Sequence, residues 1–111
     1  MAIENLQLAM KISATIITFD EAENIRAACE SVAWADEILV VDSESTDDTR
    51  KIAEDCGARV LTNHWPGFSK QKQFAVDTAT NDWIFSLERE TGNVLRLGFD
   101  LNAPSSQGSA G

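Results

Sequence analysis

Short β-branched apolar runs alternate with stretches of about a dozen residues whose apolar positions recur at helical spacing, and this alternation constrains the fold more than any other feature. Ile12 to Thr18 (ISATIIT) and Glu37 to Val41 (EILVV) read as strands buried on both faces of a parallel sheet. Arg59 to Thr62 (RVLT) reads as a short third strand and Trp83 to Leu87 (WIFSL) as a fourth. Between them, Ile25, Ala28, Cys29 and Val32, then Ile52, Ala53 and Cys56, then Phe74, Ala75 and Thr78 mark three helices, the third over about 69–80. Asp20-x-x-Glu23 has the spacing of a capping box, Ser45 with Asp48 resembles a second cap, and Gly57 stands where a left-handed residue ends a helix. Strands and helices in this order predict an α/β fold with a mostly parallel sheet and flanking helices, and ligands in such sheets bind beyond the carboxyl ends of the strands.

The rest of the chain divides around this unit. Residues 1–11 form a lead-in of weak periodicity. Glu88 to Leu101 suits a short hairpin or an extended segment, and Asn102 to Gly111 (NAPSSQGSAG) is a Ser/Gly/Ala-rich stretch without a core pattern, expected to be disordered. With 111 residues, one domain is expected. A formal net charge of -9 excludes binding driven by nucleic-acid or anionic-lipid phosphates, which need a basic stripe. The sequence shows no membrane span and no signal segment, so a cytoplasmic protein is expected. Cys29 and Cys56 fall at the same phase of two helices without a CxxC spacing, and read as packed thiols.

Candidate chemistry gathers at the first two strand ends. Thr18-Phe19-Asp20-Glu21 sets an aromatic ring and two carboxylates before a helix, where the ring can stack on a planar base. Taken alone, the motif is better accounted for as an ordinary helix cap. Val40-Val41-Asp42-Ser43-Glu44-Ser45-Thr46 ends the second strand, and capping explains Ser45 and Asp48 but not Asp42. A carboxylate at that point can accept a hydrogen bond from a base N–H. Lys70 and Lys72 suit a diphosphate, with a solvated helix face as the alternative for Lys70. His64 and Trp65 read as residues that shape their loop.

The run from ATIITFDEAENI through EILVVDSESTDDT resembles the start of the family 2 glycosyltransferases, with Asp20 where that family commonly has Asn. Trp65-Pro66-Gly67-Phe68-Ser69-Lys70-Gln71-Lys72-Gln73-Phe74-Ala75 and Asn81-Asp82-Trp83-Ile84 are similar to a subgroup that builds lipopolysaccharide core and related bacterial glycans. The resemblance covers about residues 11–87. It implies a partial GT-A (Rossmann-like) fold, with residues 12–90 as the nucleotide-sugar-binding half and 91–111 as an atypical tail. It implies inverting transfer of a sugar from a nucleotide diphosphate sugar, a UDP-sugar above all, to a glycan or lipid-linked acceptor, in the cytoplasm or peripheral to the inner membrane. Thr18, Phe19 and Glu21 would line the nucleoside pocket, Asp42 would contact the base, Ser43 would belong to the same site, and Lys72 with Lys70 or Gln71 would face the diphosphate. The family's Asp-x-Asp, which binds a divalent cation, is replaced in phase by Glu88-Arg89-Glu90. Glutamates are legitimate ligands for Mg²⁺ or Mn²⁺, but their longer side chains and the Arg89 guanidinium work against the site. No residue of the 93–111 stretch resembles the family's general base, which leads to the expectation of a truncated or frame-shifted product. Two other classes stay open: a non-catalytic nucleotide-binding or interaction module, and more remotely a receiver-type domain with an acidic strand-end cluster.

Overall fold

The structure is a computed structural model and describes residues 11–89 and 95–99, with side chains from 11 to 87. The elements follow the chain as β1 (Ile12–Thr18), α1 (Ile25–Ser31), β2 (Glu37–Asp42), α2 (Thr49–Asp55), β3 (Arg59–Thr62), α3 (Phe68–Thr78), β4 (Trp83–Arg89) and β5 (Leu95–Phe99). They build one sheet of order β3-β2-β1-β4-β5. β1 runs parallel to β2 and β4, β2 parallel to β3, and β5 antiparallel to β4. The α/β architecture and the four parallel strands agree with the sequence pattern. Strand β5 lies within the 91–111 stretch expected to be an atypical tail, and matches the hairpin reading of 88–101. The expected lead-in and the tail from Asn102 onward lie outside the described residues, apart from Lys11.

The alternation of side chains along each strand sorts the core into two layers. Ala14 and Ile16 of β1, Val40 of β2 and Phe85 and Leu87 of β4 pack with Ile25, Ala28, Cys29 and Val32 around α1, and with Ala53 and Ala58 around α2. On the other face, Leu39 and Val41 meet Ala75 of α3, with Leu61, Phe74 and Ala79 at the margin. Helices thus cover both faces of the sheet. The edge-on contact of Trp34 with Phe85, ring centroids 5.2 Å apart at 70°, closes the larger layer at the β4 side.

Neither expected side-chain cap forms. Asn24 and Asp48 occupy the N-cap positions of α1 and α2 without a side-chain capping bond. Asp20, Ser45 and Asp47 reach across to the neighbouring loop instead. Gly57 does end α2 in a left-handed conformation, with φ +92°. Both thiols are free, Cys29 buried and Cys56 partly so, as packed residues should be. Burial, and after it the neighbouring Cys56, pushes the Cys29 thiol up to about 11, which keeps it protonated at neutral pH.

At the amino ends of the strands, Glu37 ties three elements together. Its carboxylate accepts hydrogen bonds from Ser13 Oγ (2.7 Å), the Thr80 N–H and Oγ1 (both 2.9 Å) and Arg59 Nε (3.0 Å). Burial opposes its ionised form, but the bonds from Ser13, Thr80 and Arg59 outweigh it and hold the carboxyl below its ordinary value of 4.5. A depressed carboxyl contributes stability above the unfolded value and loses it as pH falls through the folded one. The native chain should therefore lose more stability than Glu37→Gln between pH 6 and pH 3, as urea unfolding midpoints would show. Parallel pH profiles for the two would contradict the assignment.

Candidate functional site

The carboxyl ends of β1, β2 and β3 lie level, with Thr18 beside Asp42 and Asp42 beside Thr62. The sheet-like pairing continues one step into the loops, where Ser43 N donates to the Thr18 carbonyl (2.9 Å) and Asn63 N to the Asp42 carbonyl (2.8 Å). Ile16 of β1 is beside Leu87 of β4, so Glu88, still within β4 and paired with Arg96 of β5, lies towards this same edge of the sheet. Its side chain, and Glu90 altogether, lie outside the described residues.

Polar residues after β1 and β2 join the two loops. Asp20 N donates to Ser45 Oγ (2.7 Å), Glu21 N to Thr49 Oγ1 (2.8 Å) and Ala22 N to Asp47 Oδ2 (3.2 Å). In the reverse direction Thr46 N donates to Asp20 Oδ1 (2.8 Å). Asp47 also accepts from the Thr49 hydroxyl and from Thr49 N, and chiefly the hydroxyl lowers its carboxyl below the ordinary value. Asp20 and Glu44 adopt positive φ, 51° and 65°, an uncommon conformation for residues with a side chain. The loop-to-loop bonds over-determine the backbone there and offset its cost.

Asp42, expected to contact a base, sits beneath the surface instead. It is 0% exposed. Its carboxylate accepts from Thr18 Oγ1 (2.7 Å), Ser45 N (2.7 Å) and Ser45 Oγ (2.5 Å), and Arg50 Nε lies 3.5 Å away. The physical reason is the two-residue period of the strand. Val40 faces the α1/α2 layer, so Asp42 does as well, while Val41 and Ser43 turn to the α3 face. Thr18 and Glu21 share Asp42's side and border α1. Glu21 is buried; its carbonyl accepts from Asn24 N (2.9 Å) and Ile25 N (2.8 Å), and its carboxylate from Asn24 Nδ2 (3.2 Å), which shapes the entry to α1.

The cavity at this edge is on the other side. It measures about 340 Å³ and is lined by Phe19, Ser43 and Trp65, with a mostly apolar surface. Phe19 and Trp65 are half exposed, Ser43 is buried. Behind Ser43 stands Gln71 of α3, 0% exposed. Its amide orientation follows from its partners: Nε2 donates to the Asn63 carbonyl (3.2 Å) and to Ser43 Oγ (3.1 Å), and Oε1 accepts from Asn63 Nδ2 (2.7 Å). Ser43 Oγ is therefore an acceptor towards Gln71, and among the described residues its own O–H has no acceptor. Gln71 serves the core rather than a diphosphate. Lys72, half-buried, and Lys70, exposed, follow on α3. Of the residues expected at a nucleotide site, Phe19 and Ser43 meet in the cavity, whereas Thr18, Glu21 and Asp42 form the support behind it. Trp65 was expected only to shape its loop. The signal that marks it is its place directly beyond the carboxyl end of β3.

A family model for glycosyl transferase family 2 matches residues 13–88, the whole of this βα unit. The chain belongs to glycosyl transferase family 2. An uncharacterized glycosyltransferase of Rickettsia felis is 51% identical over 81 residues, which are 72% of this chain and 29% of that protein. The lipopolysaccharide core biosynthesis glycosyltransferase LpsC of Rhizobium meliloti is 33% identical over 86 residues, 73% of this chain and 32% of its own length. The chain thus spans about a third of the length of such relatives. In three dimensions it resembles the glucosyl-3-phosphoglycerate synthase of Mycobacterium tuberculosis, solved with Mn²⁺, UDP and glucosyl-3-phosphoglycerate, with a TM-score of 0.66 and 25% identity over 76% of this chain and 35% of that one. The expected GT-A fold is thereby present. Among the described residues, no three of His, Cys, Asp or Glu come together as a metal-binding group, and no helix is long and apolar enough to cross a membrane.

Proposed function

We propose that this glycosyltransferase stretch binds the donor, a nucleotide diphosphate sugar and specifically a UDP-sugar, with the base in the cavity lined by Phe19, Ser43 and Trp65. One observation carries the reading: a cavity with aromatic lining, beyond the carboxyl ends of a parallel sheet, is lined by the buried Ser43 hydroxyl, whose O–H has no acceptor among the described residues. A ring stacks on Phe19, and a carbonyl on its edge accepts from Ser43. The two-loop lattice of Asp20, Ser45, Asp47 and Asp42 holds these groups in place before the ligand arrives, which lowers the ordering cost of binding.

The diphosphate then meets a strongly acidic surrounding, since Asp20, Glu44 and Asp47 all belong to these loops and the chain carries -9 overall. Lys72 and Lys70 supply positive charge on the α3 side. Glu88, near the carboxyl end of β4, and Glu90 have oxygen ligands of the kind hard cations prefer, and they would hold a Mg²⁺ or Mn²⁺ whose charge would offset that of the diphosphate. The M. tuberculosis synthase, solved with UDP and either Mn²⁺ or Mg²⁺, supports a cation for the family. The described residues bind and orient the donor; activation of the acceptor is assigned to none of them. Inverting transfer to a glycan or lipid-linked acceptor, in the cytoplasm and in cell-envelope polysaccharide or lipopolysaccharide synthesis, is the reading that the family and the likeness to LpsC support. Nothing observed favours the alternative of a non-catalytic module.

Calorimetry on the full chain, shown folded by circular dichroism, tests the proposal. UDP and UDP-glucose should bind, and more tightly with Mn²⁺. A folded chain that binds no nucleotide sugar under either condition would refute it.

A further inference from the structure

We propose that Trp65 is the second wall of the base pocket, a stacking residue that faces the nucleobase opposite Phe19 and makes the site a two-sided aromatic cleft. The inference rests on the donor-binding reading above and assigns to it a recognition residue on a third loop.

Three observations lead to Trp65. The first is the shared cavity, in which its indole and the Phe19 ring are the two large apolar surfaces, above the Ser43 hydroxyl. The second is exposure. Phe19 is 55% and Trp65 46% exposed, although both belong to short, well-tied loops. Large apolar rings left in water beside one another around a concavity mark a binding surface more often than a packing surface.

The third is the way the loop is held. On the amino-terminal side of Trp65, Asn63 N bonds to the Asp42 carbonyl (2.8 Å) and the Asn63 side chain to Gln71 Oε1 (2.7 Å). His64 Nδ1 lies 2.9 Å from Glu44 Oε1, a bridge from this loop to the one after β2. On the carboxyl-terminal side, Pro66 restricts the backbone of the residue before it, and Gly67 turns the chain into α3 at φ +111°, a conformation that favours glycine. The backbone around Trp65 is fixed from both directions while its side chain stays in solvent. Such an arrangement presents a rigid ring at small entropic cost on binding, which is what a stacking platform requires. A residue that merely filled the loop would turn its ring inward, onto Leu61 or Phe74 of the nearby core layer.

The chemistry selects a planar, electron-poor ring with a hydrogen-bond acceptor on its edge. A uracil-type base meets these terms: its faces stack between the two rings and a carbonyl reaches the Ser43 hydroxyl.

The test uses the full chain and UDP. Removing a stacking ring typically weakens binding by roughly tenfold, so Trp65→Ala should raise the UDP dissociation constant about tenfold, and Trp65→Phe, which keeps a stacking surface, should stay within about threefold of native. UDP should also quench the native tryptophan emission, and the quench should vanish in Trp65→Phe while affinity persists, because Trp34 and Trp83 remain elsewhere. UDP binding to Trp65→Ala within twofold of native would overturn the proposal and leave the donor reading intact. Equal loss in the Ala and Phe variants would overturn it as well, since that pattern belongs to a loop-shaping role. If the native chain binds no nucleotide at all, the donor reading falls and Trp65 with it.

Discussion

Asp42→Ala should destabilise the fold by about 3–5 kcal/mol, as measured by urea unfolding followed by circular dichroism. The carboxylate is wholly buried and receives the Thr18 hydroxyl and both the N–H and the hydroxyl of Ser45. Truncation leaves these buried donors without an acceptor, at roughly 1–3 kcal/mol each before relaxation. Arg50 adds little, because its side chain is 44% exposed and its Nε stands 3.5 Å away. Asp42→Asn, which keeps one carbonyl oxygen, should lose about half as much. A change below about 1 kcal/mol in Asp42→Ala would mean that the loop lattice does not depend on this carboxylate. The consequence for function is practical. Lost binding in an Asp42 variant reports a collapsed support, whereas Ser43 and Trp65 report the pocket itself.

Gln71→Leu should cost about 2–4 kcal/mol although the two side chains are similar in volume. Gln71 is fully buried, and its amide joins the Asn63 carbonyl, the Asn63 side chain and Ser43 Oγ. Leucine satisfies none of them. The loop that carries Trp65 starts at Asn63, so the same substitution should weaken UDP binding beyond what reduced stability explains. Measuring affinity at a temperature where the variant is still fully folded separates the two effects. Unchanged affinity in that folded variant would show that the loop is held by other contacts.

The strand-helix alternation made the sheet legible: Ile12 to Thr18, Arg59 to Thr62 and the start of β4 at Trp83 coincide with the observed strands, and β2 extends by one residue to Asp42. Gly57 was legible too, because a left-handed helix end has few other solutions. The polar strand ends were harder to interpret. Asp20, Ser45 and Asp48 have local capping spacing, yet Asp20 and Ser45 bond to the other loop, twenty-five and more positions away in sequence. Local spacing cannot anticipate a partner brought near only by the parallel register of β1 and β2. Asp42 and Ser43 are adjacent in sequence and on opposite faces in space. The period of two contained that distinction, but which face holds the cavity depends on where α3 and the Trp65 loop pack. The resemblance offers Gln71, beside Lys70 and Lys72, as a residue facing the diphosphate; the structure buries it, where its amide bonds to Ser43 and Asn63, partners that local spacing does not reveal.

The central claim is that the cavity beyond β1, β2 and β3 holds the donor nucleotide, and chemical-shift mapping of the ¹⁵N-labelled chain titrated with UDP tests it most directly. The account predicts the largest amide shifts at Phe19 and Asp20, Ser43 to Ser45 and Asn63 to Gly67, together with the Trp65 indole N–H. Shifts confined to other surfaces, or none at saturating UDP in a folded sample, would contradict it.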